Sequence, residues 1–164
     1  MGYTFRFAQE TDYEEIAALN RQIFHIHAKA RPDLFNLVET PLEKIQYEEL
    51  LQTEHTKVIV MEKEFAAGIL GYAVLKVKQT PDKPVLKPRR TVYISDFGVD
   101  ERIRHQGLGS SLMQHVVSLA GQWEADFIEL SVFEFNTSAV RFYEKLGFYT
   151  KSRRMEIRVN NESD

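Results

Sequence analysis

Cysteine is missing from the 164 residues, and with it go disulfides, thiolate metal sites and any cysteinyl transfer intermediate. No run approaches the roughly 18 to 20 uncharged apolar residues that a membrane-spanning helix requires. The opening stretch MGYTFRFAQE holds no secretory apolar region. Gly2 follows Met1, but Arg6 stands where a myristoylation motif wants Ser or Thr. A cytoplasmic location is therefore expected, with no membrane partner. An excess of positive charge is lacking too. The formal charge of -3 and sequence pI of about 6.0 leave no general basic surface to neutralise a nucleic-acid backbone, so nucleic acid is not an expected partner.

What is present is ordinary for a globular chain, with 43% hydrophobic and 27% charged residues, and the length suits one core. Tyr3 to Ala8 alternate as a strand should. A helix follows, with Thr11 and Glu14 as capping box and Ile16, Leu19, Ile23 and Ile26 on one face. Pro32 breaks it, and a second helix is expected to restart at Thr40-Pro41-Leu42-Glu43. TKVIVME and GILGYAVLKVK are strand-like around the connector KEFAAG, and QTPDKPVLKPRR is a proline-rich surface loop. Then come a strand, TVYISDFGV; a helix over 108–120; a strand, FIELSVF; a helix from Asn136 or Thr137 to Leu146; and Gly147 as its C-cap glycine. FYTKSRRMEIRV is expected to close the fold as one or two strands, and 160–164 to be a frayed tail. The pattern implies a mixed α/β architecture and a single domain over 1–159, with a right-handed crossover joining strands 92–99 and 127–133.

Between two of these elements stands Arg104-His105-Gln106-Gly107-Leu108-Gly109. Two glycines at a helix start form a ready anion cradle, because bare successive amides and the helix dipole both favour a phosphate. A nucleoside-triphosphatase loop needs a Lys and a Ser or Thr after its second glycine, and GLGSSL lacks the lysine. A dinucleotide loop needs a third glycine, where this chain has Leu112. A third pattern fits. ISDFGVDERIRHQGLGSSLM resembles the glycine motif of the GNAT N-acetyltransferases, and SVFEFNTSAVRFYEKLGF resembles that family's next motif, in the right order and at the right distance.

The resemblance implies a GNAT-like fold: a central twisted mixed sheet of six to seven strands flanked by four helices. It also implies acetyl-CoA as co-substrate, with no metal, and transfer of the acetyl group to a primary amine by direct attack in a ternary complex. The cofactor would lie along Phe97, Gly98 and Val99 and be held by Arg104, His105, Gln106, Gly107, Leu108, Gly109, Ser110 and Ser111, with Asn136, Ala139 and Tyr143 completing the set. Gly98 would let its strand splay. Val99 would present a backbone donor to the acetyl carbonyl, Arg104 is either a phosphate contact or a solvated arginine, and Asn136 is a cofactor contact, a helix cap or both. Tyr143 is either the proton donor to the departing thiolate or a packed core tyrosine.

An ordinary alkyl amine is protonated near neutrality and must lose a proton before it can attack. Many relatives carry Glu where this chain has Ser95. Asp96, Glu134 and an unassigned water chain are left as bases. The resemblance implies an acceptor site built from HIHAKARPDLFNLVE and the loop QTPDKPVLKPRR, with His25, His27, Arg31 and Phe35 as candidate substrate contacts. His25 and His27 are two apart, which on a helix separates them and argues against a metal pair. The basic clusters KPRR at 87–90 and KSRR at 151–154 are solvated faces or contacts for an acidic group. The expected partner is a small-molecule or peptide amine, with a homodimer left open. The competing readings are a non-catalytic acyl-CoA binding or sensing module on the same fold, and a nucleotide-binding protein.

Overall fold

A computed structural model describes residues 2–159. It groups the chain into two compact units, Met1–Ser131 and Val132–Asp164. The expected tail at 160–164 lies outside the described residues.

In the first unit the order is β1 (Tyr3–Phe7), α1 (Tyr13–Ala30), α2 (Lys44–Gln52), β2 (Thr56–Lys63), β3 (Ile69–Gln79), β4 (Arg90–Val99), α3 (Leu108–Gln122) and β5 (Phe127–Leu130). The sheet runs β1-β2-β3-β4-β5, antiparallel except for the β4–β5 pair. Residues 69 to 75 of β3 are buried without interruption. A central strand covered on both faces reads as a continuous apolar run. On one face Val58, Val60, Tyr72 and Val74 meet Ile16 and Leu19 of α1 and Tyr47 of α2; on the other, Met61 and Leu70 meet Leu108 and Leu112 of α3.

Both N-terminal helices start later than expected. Ahead of α1, a turn of 3-10 helix spans Glu10–Asp12, and Asp12, not Thr11, makes the turn: its Oδ2 accepts the Gln9 N–H at 2.7 Å. The same carboxylate accepts two bonds from the Arg6 guanidinium, at 2.7 and 2.9 Å. A partly buried ion pair thus takes the place of the hydroxyl cap. In α2, Gln46 Oε1 accepts the Glu43 N–H at 3.0 Å, leaving Thr40 and Pro41 outside the helix.

The sheet has five strands among the described residues, fewer than the six to seven expected. The β4–β5 ladder stops at Ile94–Leu130, so 131–133 do not extend β5. Residues 151–159 alternate as a strand would but have no assigned strand structure. Alternation reports a face, whereas a strand also needs partner backbone groups.

The second unit is built on α4 (Thr137–Lys145). Asn136 Oδ1 accepts the Ala139 N–H at 3.2 Å, an N-cap bond. Gly147, at φ 91°, closes the helix: Phe148 N–H donates to Tyr143 O and Gly147 N–H to Glu144 O, the paired bonds of a left-handed helix end.

Candidate active site

Strand β4 carries an irregularity that decides where its side chains go. Val74 pairs with Asp96 but Leu75 pairs with Ile94, so Ser95 is an extra residue, a β-bulge. Cross-strand partners share a face. Ile94 therefore shares Leu75's face, whereas Asp96 and Gly98 share that of Val74 and Tyr72, toward α1. In an unbulged strand Asp96 would lie on the same side as Ile94. The register irregularity of β4 against β3 is at Ser95, β4 and β5 part after Ile94–Leu130, and Gly98 is where α1 comes close. A Cβ there would stand 2.2 Å from Ile23 Cδ1.

The bulge delivers Asp96 to a cavity of about 340 Å³ lined by Asn20, Ile23, Phe24, His27, Val38, Pro41, Ser95 and Asp96. Tyr72 O–H and Asn20 Nδ2 both donate to Asp96 Oδ2, the latter at 2.8 Å; Asn20 Nδ2 also reaches Tyr72 Oη at 3.1 Å, and Phe97 N–H donates to Oδ1 at 3.0 Å. Burial pushes the Asp96 carboxyl above its ordinary value, against the opposing pull of Tyr72, Asn20, the Phe97 amide and the nearby His27. Burial, followed by the Asp96 charge, raises the Tyr72 phenol well above its usual range, so it stays a donor. A carboxyl with its proton affinity raised in this way is a candidate general base.

Of the expected acceptor contacts, His27 lines this cavity, its Nδ1 set 3.0 Å from Ile23 O. A carbonyl can only accept, so that nitrogen carries the hydrogen. Phe35 packs edge-on against Phe24 and His27, with ring centroids 6.0 and 6.2 Å apart. Arg31 makes a two-bond pair with Asp33, at 2.9 and 2.8 Å, which shapes the segment. His25 lies elsewhere on α1, in a groove with Arg21, Lys29 and Glu101. Asn20 and Tyr72 escaped the sequence reading. The available signal was a polar residue four positions after Ile16 on an apolar helix face, and a lone hydroxyl inside the β3 apolar run, each of which needs a partner once buried.

The glycine loop fits a phosphate group. Gly107 caps α3 at φ 82°, a left-handed conformation that glycine adopts without strain, and a Cβ there would meet nothing within 4 Å, so the space before it is open. His105 is also left-handed, at φ 64°. Ser111 N–H is already committed to Gly107 O at 3.1 Å. Leu108, Gly109 and Ser110 are therefore the first-turn amides without an intrahelical acceptor. Leu108 and Leu112 anchor that turn in the core. Before the loop, buried Asp100 accepts the Arg102 N–H and is paired with its guanidinium, which holds its carboxyl below the usual range. Arg104 Nε donates to Val99 O at 3.3 Å.

Val99 also has an amide to offer. Asp100 N–H donates to Leu70 O at 2.9 Å; alternation along an antiparallel ladder then turns the Val99 N–H away from β3. It points to the side where β5, after Leu130, no longer pairs with β4.

A profile of the acetyltransferase (GNAT) family matches residues 20–148. The chain belongs to the GNAT acetyltransferase family. It is accordingly an acetyl-CoA-dependent N-acetyltransferase. It is 31% identical over 149 residues to the L-amino acid N-acetyltransferase AaaT of Escherichia coli, covering 87% of this chain and 80% of that one. It is 36% identical to the spermine/spermidine N(1)-acetyltransferase of Bacillus subtilis over 85 residues, which is 51% of this chain and 55% of that one. The crystal structure of a tetramutant of the BH1408 protein from Bacillus halodurans superposes with a TM-score of 0.91 at 36% identity, covering 95% of this chain and 99% of that one. The GNAT fold is thus present, with a five-strand mixed sheet and four α-helices among the described residues.

The remaining expected positions are placed as follows. Glu134 is exposed and paired with Arg153 Nε at 3.1 Å. Within the second unit, Tyr143 stacks edge-on with Phe142 and Phe148, at 5.2 and 5.6 Å. Arg89 covers the Phe127 ring at 3.5 Å, and Arg90 donates to Trp123 O at 2.9 Å, so this pair of the KPRR cluster stitches β4 to α3 and β5. No described helix is long and apolar enough to cross a membrane, and no group of three or more metal-ligating side chains occurs among the described residues.

Proposed function

We propose that this enzyme acetylates the primary amine of a small monoamine with an apolar body, L-amino acids being the leading class, by direct attack in a ternary complex. The observation that carries the reading is the Asp96 cavity. Among its described lining residues Asp96 is the one carboxylate, and Ile23, Phe24, Val38 and Pro41 form apolar walls. A polyamine brings several positive charges, and each needs a counter-charge or water when buried; one carboxylate serves one ammonium. The amino-acid acceptor named for the E. coli relative supports the same class.

When bound, acetyl-CoA supplies the acyl group as an activated thioester. The first-turn amides of α3 bind its pyrophosphate, with Arg104 beside them. Val99 N–H presents a donor to the acyl oxygen, a contribution worth about 2.7–4 kcal/mol where charge develops. Asp96 takes the proton of the acceptor ammonium, freeing the lone pair that forms the new N–C bond. The resemblance gives the Tyr143 phenol the proton for the departing sulfur. Residues 1–159 act as a single domain in this reading; the family match from 20 to 148 runs across both compact units.

A panel of amines tests the acceptor by thiol release from acetyl-CoA. Apolar and aromatic L-amino acids should exceed spermidine in kcat/KM by about tenfold or more, the scale on which pocket shape and charge discriminate. Preference for spermidine overturns the monoamine assignment. Tight acetyl-CoA binding with no turnover on any amine favours the sensing module.

A further inference from the structure

The structure assigns Tyr72 and Asn20 as positioning residues that occupy Asp96 Oδ2 and leave Oδ1 as the atom that accepts the substrate proton. This rests on Asp96 being the base. A carboxylate oxygen has two lone pairs. Oδ2 spends both, on the Tyr72 hydroxyl and on Asn20 Nδ2, whereas Oδ1 receives one bond from the Phe97 amide and keeps a lone pair. The two donors are neutral and come from different elements, β3 and α1, and Asn20 also bonds the Tyr72 oxygen. The three groups therefore fix one another: the carboxylate cannot rotate to exchange its oxygens without breaking both donor bonds.

Four elements bring groups to Asp96 and its cavity. Helix α1 contributes Asn20 and the titratable His27, β3 contributes Tyr72, β4 contributes Ser95, and the segment ahead of α2 contributes Val38 and Pro41. Tyr72 stays protonated because burial and the Asp96 charge both oppose its ionisation. It therefore stabilises the Asp96 anion by donating, and removing it makes that anion harder to form.

The test is kcat/KM against pH for Tyr72→Phe, Asn20→Ala and Asp96→Asn, with acetyl-CoA affinity measured alongside. Tyr72→Phe keeps the ring and removes the donor, so its acid limb should move to higher pH by about one unit, the scale of one hydrogen bond to a charged group. Asn20→Ala should shift the limb the same way, and acetyl-CoA affinity should stay as in the parent for both. If Asp96→Asn abolishes turnover while both variants keep the parental acid limb, the positioning role is wrong and the base assignment stands. If Asp96→Asn retains parental turnover, the base assignment itself fails. Loss of folding in Tyr72→Phe, read from its thermal melt, leaves Asn20→Ala to decide.

Discussion

Two carboxylates meet α1, Asp12 at its N-cap and Asp96 through Asn20, and their surroundings set them to different tasks. Asp12, 7% exposed, faces the Arg6 guanidinium through two bonds. Burial works against its charge, but Arg6 and the Gln9 amide outweigh that and hold its carboxyl below the usual range. Asp96 has three neutral donors, Tyr72, Asn20 and the Phe97 amide, with His27 nearby, and burial wins, raising it. A full positive charge in direct contact compensates desolvation; neutral dipoles do so in part. The first carboxylate is locked as an anion that fastens β1 to the start of α1. The second remains able to exchange a proton beside a cavity.

The comparison breaks most visibly at Asp96→Asn, which should lower kcat/KM by about 10²–10⁴, the contribution expected of a positioned base, with acetyl-CoA affinity kept. An effect under tenfold would place the base elsewhere, with Glu134 or a water chain next in line.

Asp12→Asn should leave turnover per folded molecule unchanged and cost about 2 kcal/mol of stability, the worth of charge-assisted bonds in a partly buried setting. The signs with pH follow from the shifts. Asp12, with a lowered native value, contributes stability above the ordinary carboxylate value of about 3.9, and this is lost as pH falls through the native value. Asp96, with a raised native value, has its contribution below about 3.9 and loses it as pH rises through the native value. Thermal melts should therefore show Asp12→Asn losing most against the parent near neutrality, and Asp96→Asn losing nothing there or gaining. The same sign for both variants would refute the contrast.

The smallest expected effect is at Gly98→Ala, on the same strand as Asp96. The added methyl meets Ile23 Cδ1, and overpacking of this kind costs about 1–3 kcal/mol, toward the low end because the clash is with the tip of a side chain. Denaturant unfolding should show the loss, and Ile23→Val in the same chain should restore part of it. An unchanged midpoint without rescue would mean that α1 does not press on β4 at Gly98.

Much of this was legible in the residues. The apolar stripe of α1 at Ile16 and Leu19, the strands around KEFAAG, the Asn136 cap and the Gly147 helix end are local features, set by the chemistry of one turn or by a short periodicity. The start of α1 is hidden from capping patterns because Asp12 is engaged by Arg6, six positions away, whereas α2 begins at a second local box, Glu43 with Gln46. The strand count was high because alternation over 151–159 carries no information on pairing.

The glycine loop and the Asp96 cavity divide along the same line. RHQGLG announces itself because a left-handed glycine before a helix is a requirement on consecutive backbone atoms, so sequence alone determined the glycine turn that starts α3 and, through the paired motifs, the family. The surroundings of Asp96 were decided by tertiary structure. Its donors come from 24 and 76 positions away, and the bulge at Ser95 turns it to the α1 side against the strand's own alternation. A side chain's proton affinity depends on what surrounds it in space, and only the folded sheet and helix bring Tyr72 and Asn20 to that carboxylate.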